Sequence, residues 1–203
     1  MKRKKFFGVA LPVVVSIIIV CGKPNLVFAE TATEILKGAT DKIIDIVTDE
    51  KLKNDKKLRM SKLHQVIDPV FSYEQMSMRS LAKNWEQRTP EEQKEFIRLF
   101  SKLLENSYAS KLESYGKETI NYLNEKVKGN YAMVKTEIIR SDGPVAIDYK
   151  FFKQRDDWMI YDFVIEGVSM VQNYRSQFNR IIKKESYEAL RKKLDGKVTD
   201  LES

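Results

Sequence analysis

Val145-Ala146-Ile147-Asp148-Tyr149-Lys150-Phe151-Phe152 sets an apolar series, Val145, Ile147, Tyr149 and Phe151, against Asp148 and Lys150. Side chains of an extended backbone point to opposite faces in turn, so this octapeptide reads as a strand with one buried face. Asp142-Gly143-Pro144 precedes it and Asp156-Asp157 follows it, both turn-forming. The flanking segments 131–139, introduced by Asn130, and 158–165 are equally rich in β-branched and aromatic residues. With residues 119–127 added, a four-stranded antiparallel meander is expected. The last segment breaks the alternation. Trp158, Ile160 and Val164 share a face with Asp162, while Tyr161, Phe163 and Ile165 take the other, so either both faces are covered or the strand carries a bulge.

Outward from this sheet the period changes to that of a helix. Ile35, Leu36, Ala39, Ile43, Ile46 and Val47 form one stripe, and a shorter helix is expected over 55–67, stopped by Asp68-Pro69. Ser72 suits the cap of a third, carrying Met76, Leu81 and Trp85. Thr89-Pro90-Glu91-Glu92 is a capping box with proline in the first turn, and opens a broad stripe of Phe96, Ile97, Leu99, Phe100, Leu103, Leu104 and Tyr108. After the sheet, Met170, Val171, Tyr174, Phe178, Ile181 and Ile182 form one stripe, and Tyr187, Leu190 and Leu194 another before Gly196. The expected fold class is α+β, a four-stranded antiparallel sheet flanked by N-terminal and C-terminal helices.

The first residues read differently. Lys2, Arg3, Lys4 and Lys5 precede an uncharged run over 6–22, and Val27-Phe28-Ala29 offers small or permissive residues at a cleavage site. Residues 1–29 are expected to be a secretory signal peptide, leaving 30–203 as one domain. Cys21-Gly22 presents a competing lipid-attachment site, but β-branched Val20 stands where a small residue belongs, so Cys21 reads as part of the leader. The leader holds five of the 36 basic residues and no acid, so the mature chain carries 31 against 29 acids, a net charge of +2 instead of +7. The basic balance therefore belongs to targeting, and no nucleic-acid partner is expected. The mature part has no cysteine; at roughly 170 residues it can bury an adequate core without disulfides.

Catalytic candidates are few. His64 is the single histidine. With no mature cysteine, Cys–His nucleophilic pairs and His/Cys zinc sites are excluded, and no glycine-rich phosphate loop occurs. Gly167-Val168-Ser169 sits at a strand-to-helix junction, as a nucleophile elbow would, but Val171 replaces the second glycine and His64 precedes the serine. Ser169 is expected to cap the next helix. Glu91-Glu92 and Asp156-Asp157 belong to a helix start and a turn; only Glu166 lacks a structural role. No catalytic residue, metal or cofactor is expected. What stands out is a surplus of apolar side chains, and periodicity alone does not separate a filled core from a lined cavity.

The stretch Asp162-Phe163-Val164-Ile165-Glu166-Gly167-Val168-Ser169-Met170-Val171-Gln172-Asn173-Tyr174-Arg175-Ser176-Gln177-Phe178 closely resembles the signature of the toluene-tolerance, or MlaC, family of periplasmic phospholipid-binding proteins. Leu81-Ala82-Lys83-Asn84-Trp85 ahead of Thr89-Pro90-Glu91-Glu92-Gln93, and Asp148-Tyr149 with Trp158 and Tyr161-Asp162, agree with it, so the resemblance spans about 35–195. Two positions depart: Ala82 stands where glycine is usual and Met170 where leucine is common. The resemblance implies a helix-flanked antiparallel sheet whose wide apolar cavity sheathes acyl tails. It also implies a carrier passing phospholipid between an outer-membrane lipoprotein complex and an inner-membrane ABC transporter with an MCE-domain subunit. A carrier of another lipid, hopanoid-like, or a periplasmic adaptor without cargo are the alternatives, and a lipid hydrolase using Ser169 is more distant. On this reading the tail-lining candidates are Phe96, Phe100, Leu103, Tyr108, Val145, Ile147, Tyr149, Phe151, Trp158, Tyr174 and Phe178, with Arg175, and less securely Arg79 and Lys83, meeting the phosphate.

Overall fold

A computed structural model describes residues 30–113 and 118–202, the side chains of 108–113, 201 and 202 excepted. The leader expected over 1–29 lies outside the described residues. Four helices come first: α1 (Ala32–Thr48), α2 (Lys56–Ile67), α3 (Tyr73–Leu81) and α4 (Pro90–Glu113). Then follow β1 (Thr119–Lys128), β2 (Tyr131–Arg140), β3 (Gly143–Gln154), β4 (Asp157–Ile165) and β5 (Val168–Ser169), and finally α5 (Met170–Lys184) and α6 (Tyr187–Glu202).

Side-chain caps set the helix starts. The Thr31 and Glu34 side chains and backbones bond reciprocally at α1. At α4 the Thr89 N–H donates to Glu92 at 2.9 Å and the Glu92 N–H to Thr89 Oγ1 at 3.2 Å, the box expected from sequence. Asp55 and Ser72 cap α2 and α3. The third helix is shorter than expected, because Ala82 takes φ 50° and ψ −125° and turns the chain into a 3-10 turn before Trp85. An L-residue is strained at that φ, whereas glycine is not. This is the position where the resemblance expects glycine. Ala82→Gly is therefore expected to raise stability by about 1 kcal/mol, read from the urea midpoint. At the other end, α6 runs through Gly196 and buries Val198 beyond it.

The sheet is antiparallel throughout, in the order β1-β2-β3-β4-β5. It has five strands, not four. The chain reverses at Glu166 and Gly167, both at positive φ, and pairs two further residues against the end of β4, too few to show as an alternating pattern. The ambiguity in β4 resolves as a bulge. Lys150 pairs with Asp162 but Phe151 with Ile160, leaving Tyr161 as the extra residue. The alternation flips there, so Trp158 and Ile160 before the bulge face the same side as Phe163 and Ile165 after it.

Two cores result. Phe96, Leu99, Phe100 and Leu103 of α4 pack with Met76, Phe178, Leu190 and Leu194 in a helical core. Ala32 and Leu36 of α1 pack with Ala132, Val134, Phe151, Trp158 and Ile160 on one end of the sheet. Phe71 packs against both, and between them the structure is hollow.

Candidate functional site

The apolar face of β3 forms one wall of this hollow. Val145, Ile147 and Tyr149 line it, joined across the register by Ile138 of β2 and by Phe163 and Ile165 of β4. The opposite wall is α1, through Leu36, Ala39, Ile43 and Ile44. Met60 and Ile67 of α2, Tyr73 and Met76 of α3, and Leu104 of α4 close the sides. The volume is about 490 Å³, in the range of pre-formed ligand sites. Ile43, Ile138, Val145, Ile147, Phe163 and Ile165 are all half-buried, whereas Phe96 and Phe100 of the helical core are 1% and 0% exposed. Half-exposed apolar side chains converging from four elements are the mark of a lined cavity, not of a filled core.

Of the side chains expected to line a cavity, three do so: Val145, Ile147 and Tyr149. Phe96, Phe100, Leu103 and Phe178 instead belong to the helical core, with Tyr174 packed on it. The rings interlock there, Phe100 lying 5.7 Å from Phe96, 5.3 Å from Phe178 and 5.0 Å from Tyr174. Phe151 and Trp158 belong to the core at the α1 end of the sheet. The Tyr108 side chain lies outside the described residues. The physical reason is helix-on-helix packing: α4 turns its aromatic stripe toward α5 and α6, leaving, among its described side chains, Leu104 and Glu105 to the hollow. Sequence reasoning missed Ile43 and Ile44 of α1, Met60 and Ile67 of α2, and Ile138 of β2 as lining. The available signal was α1, whose isoleucines extend beyond one narrow stripe.

The cations expected at the phosphate have other partners. Arg175 Nε donates to the Arg79 carbonyl at 2.8 Å, and the Arg79 guanidinium lies 4.1 Å from the Tyr161 ring centroid. Lys83 is exposed in the turn after α3. None of the three lines the cavity. The charged side chains that do are His64, Glu105, Glu118 and Arg140. His64 Nε2 stands 3.6 Å from Glu105. Burial pushes the Tyr73 phenol well above its ordinary range, and the Glu105 and Asp68 carboxylates push it the same way. It stays a neutral donor, to Asp68 at 3.3 Å.

The signature stretch is built as a knot. Asp162, 3% exposed, accepts from Lys150 at 2.9 Å, from Ser169 Oγ at 2.7 Å and from the Val171 N–H at 3.0 Å, tying β3, β4 and α5 together. Ser169 Oγ also accepts from the Gln172 N–H and so caps α5, as expected. Glu166, which had no role in sequence, extends the sheet: its N–H donates to the Ala146 carbonyl at 3.0 Å, and its carboxylate accepts from the Ala146 N–H at 2.6 Å. These carboxylates are occupied in holding the fold.

The chain is similar to a known family and, among other proteins, to two relatives. The family model described as MlaC protein matches residues 37–196. The intermembrane phospholipid transport system binding protein MlaC of Haemophilus influenzae is 27% identical over 171 residues, 80% of either chain. A phospholipid-binding protein from Ralstonia solanacearum, solved in complex with a phospholipid, superposes with a TM-score of 0.78 at 25% identity, over 86% of this chain and all of that one.

Proposed function

Because the chain belongs to the MlaC protein family, we propose that it is a phospholipid carrier whose acyl tails occupy the hollow between α1 and the sheet. The observation that carries this reading is the open apolar lining of the Val145, Ile147 and Tyr149 face, set opposite Ile43 and Ile44. A lipid with some thirty methylenes is held out of water by roughly 20–25 kcal/mol, at about 0.8 kcal/mol for each. A carrier must replace the bilayer by a protein surface of similar polarity, and an adaptor without cargo has no need of a lined, unfilled space.

The chain is read as exported by a signal peptide cleaved between Ala29 and Glu30 and as working in the periplasm. There it exchanges cargo with an outer-membrane lipoprotein complex and an inner-membrane ABC transporter bearing an MCE-domain subunit, toward maintenance of outer-membrane lipid asymmetry. Its Haemophilus relative is named for an intermembrane transport system, which supports that placement. The test is transfer. Protein released from the periplasm, with the intact mass of a chain starting at Glu30, is expected to move labelled phospholipid between donor and acceptor vesicles without altering it. Lipid that stays in the donors contradicts the carrier reading. Appearance of free fatty acid, abolished by Ser169→Ala, favours the hydrolase instead.

A further inference from the structure

The hollow between α1 and the sheet has a direction, because the inward residues of β2, β3 and β4 grow more buried toward one end. On β3, Val145, Ile147 and Tyr149 are half-buried, while Phe151 has no exposed surface. On β2, Ile138 is half-buried, and Thr136, Val134 and Ala132 are buried. On β4, half-buried Ile165 and Phe163 give way to Ile160, which is 1% exposed. Val134 pairs with Tyr149 and Phe151 with Ile160, so the buried ends coincide. α1 follows the same gradient. The Thr33 N–H donates to Glu125 at 2.9 Å, at the level of Val134 and Tyr149. Thr40 stands beside Tyr122, at the level of Thr136 and Ile147. Leu36 and Ala39, both buried, therefore sit toward the closed end. Half-buried Ile43 and Ile44 lie toward the exposed turn between β2 and β3, where Arg140 joins the lining.

The hollow is a blind pocket along the sheet. Its floor is Leu36, Phe71 and Ile160, and beyond them Ala32, Val134 and Phe151 fill the core at that end without exposed surface. Sideways it ends on Met76 and Leu104, which belong to the helical core. From Val145 to Tyr149 the strand advances about 13 Å, and from Leu36 to Ile44 the helix advances about 12 Å. The two walls agree, and both come close to one leaflet of hydrocarbon, about 15 Å, the depth filled by tails of about 16–18 carbons. A methylene beyond the pocket's depth is left in water, which weakens binding about fourfold relative to keeping it in the bilayer. A close-packed floor does not yield to make room for it. We infer that the pocket is a ruler for acyl-chain length, in which Leu36, Phe71 and Ile160 stop the tails and select against phospholipids with tails longer than those of an ordinary leaflet. This rests on the carrier reading and deepens it.

The experiment holds the head group constant. Delipidated protein is offered vesicles of equimolar phosphatidylcholines with monounsaturated tails of about 14 to 22 carbons, the range that sets bilayer thickness. The protein is re-isolated by gel filtration and its bound lipid read by mass spectrometry. Wild type is expected to hold the longest-tailed lipid at least about tenfold below its share of the mixture, several methylenes being left outside. Ala39→Leu adds bulk near the floor and should move the preferred tail about two carbons shorter; Leu36→Ala removes bulk from the floor and should move it about two carbons longer. Circular dichroism checks both folds. Should the loss of buried Leu36 prevent folding, Ala39→Leu decides alone. Wild type that takes all tail lengths in proportion to the mixture overturns the ruler and leaves the carrier reading standing. A folded Ala39→Leu protein with the wild-type length distribution overturns the assignment of the floor. Wild type that binds no lipid at all overturns the carrier reading itself.

Discussion

Phe100→Ala is expected to lower the free energy of unfolding by about 3–5 kcal/mol, the cost of deleting a fully buried aromatic and leaving a void. The ring has no exposed surface and touches three others, Phe96, Tyr174 and Phe178, so the neighbours have little room to collapse into the space. For a domain of this size each kcal/mol moves the melting temperature by about 2–4 °C, so a fall of roughly 6–20 °C should follow. Urea unfolding watched by circular dichroism measures it. A loss below about 1 kcal/mol would mean that the α4 stripe faces adaptable space and that the boundary drawn here between core and cavity is misplaced.

Ile147→Glu is the counterpart on the cavity side. Ile147 is half-buried in mid-strand, and its side chain faces the hollow with Val145 and Tyr149. A carboxylate there reaches water while the cavity is empty, so the fold should survive. With tails in place it would be stripped of water at a cost of several kcal/mol. Each 1.4 kcal/mol is a factor of ten in affinity, so lipid occupancy should drop at least about tenfold while the far-ultraviolet spectrum stays native. Retention of full occupancy would remove this face from the tail site.

The contrast between these two positions is also where sequence reading reached its end. Both lie on stripes of bulky apolar residues, and a stripe reports only that a face is covered. Whether packed side chains or a ligand covers it depends on which helices close around it. α4 was met by α5 and α6, while the β3 strand was left facing α1 across a gap. Alternation did identify the strand, the inward series Val145, Ile147, Tyr149 and Phe151, and the irregularity in β4 that the Tyr161 bulge explains. The caps at Thr89 and Ser169 were legible because a cap is a local matter of one side chain and two or three amides. The two-residue β5 was not, since pairing so short leaves no period. Nor was the role of Glu166, whose partner Ala146 is twenty residues away in the chain. The partners of the cations expected at the phosphate were hidden for a related reason: the Arg79 guanidinium lies on the Tyr161 ring and Arg175 donates to the Arg79 carbonyl, contacts that only the folded packing of α3 on α5 reveals.

The departure at Ala82 gained meaning the same way. As a letter it was a small residue in place of a smaller one; as a backbone position it holds φ 50°. The strain lies in the turn between α3 and α4, away from the cavity lining, so its relief by glycine should change stability without touching the tail site.

Whether phospholipid tails fill the hollow between α1 and the sheet is decided by native mass spectrometry of the protein released from the periplasm. It should be purified without detergent and measured beside Ile147→Glu. Wild type is expected to show its mass raised by that of intact phospholipid, released on collisional activation, and the variant to be present mostly as the bare chain. Wild type without added mass, or equal lipid on both proteins, would contradict it.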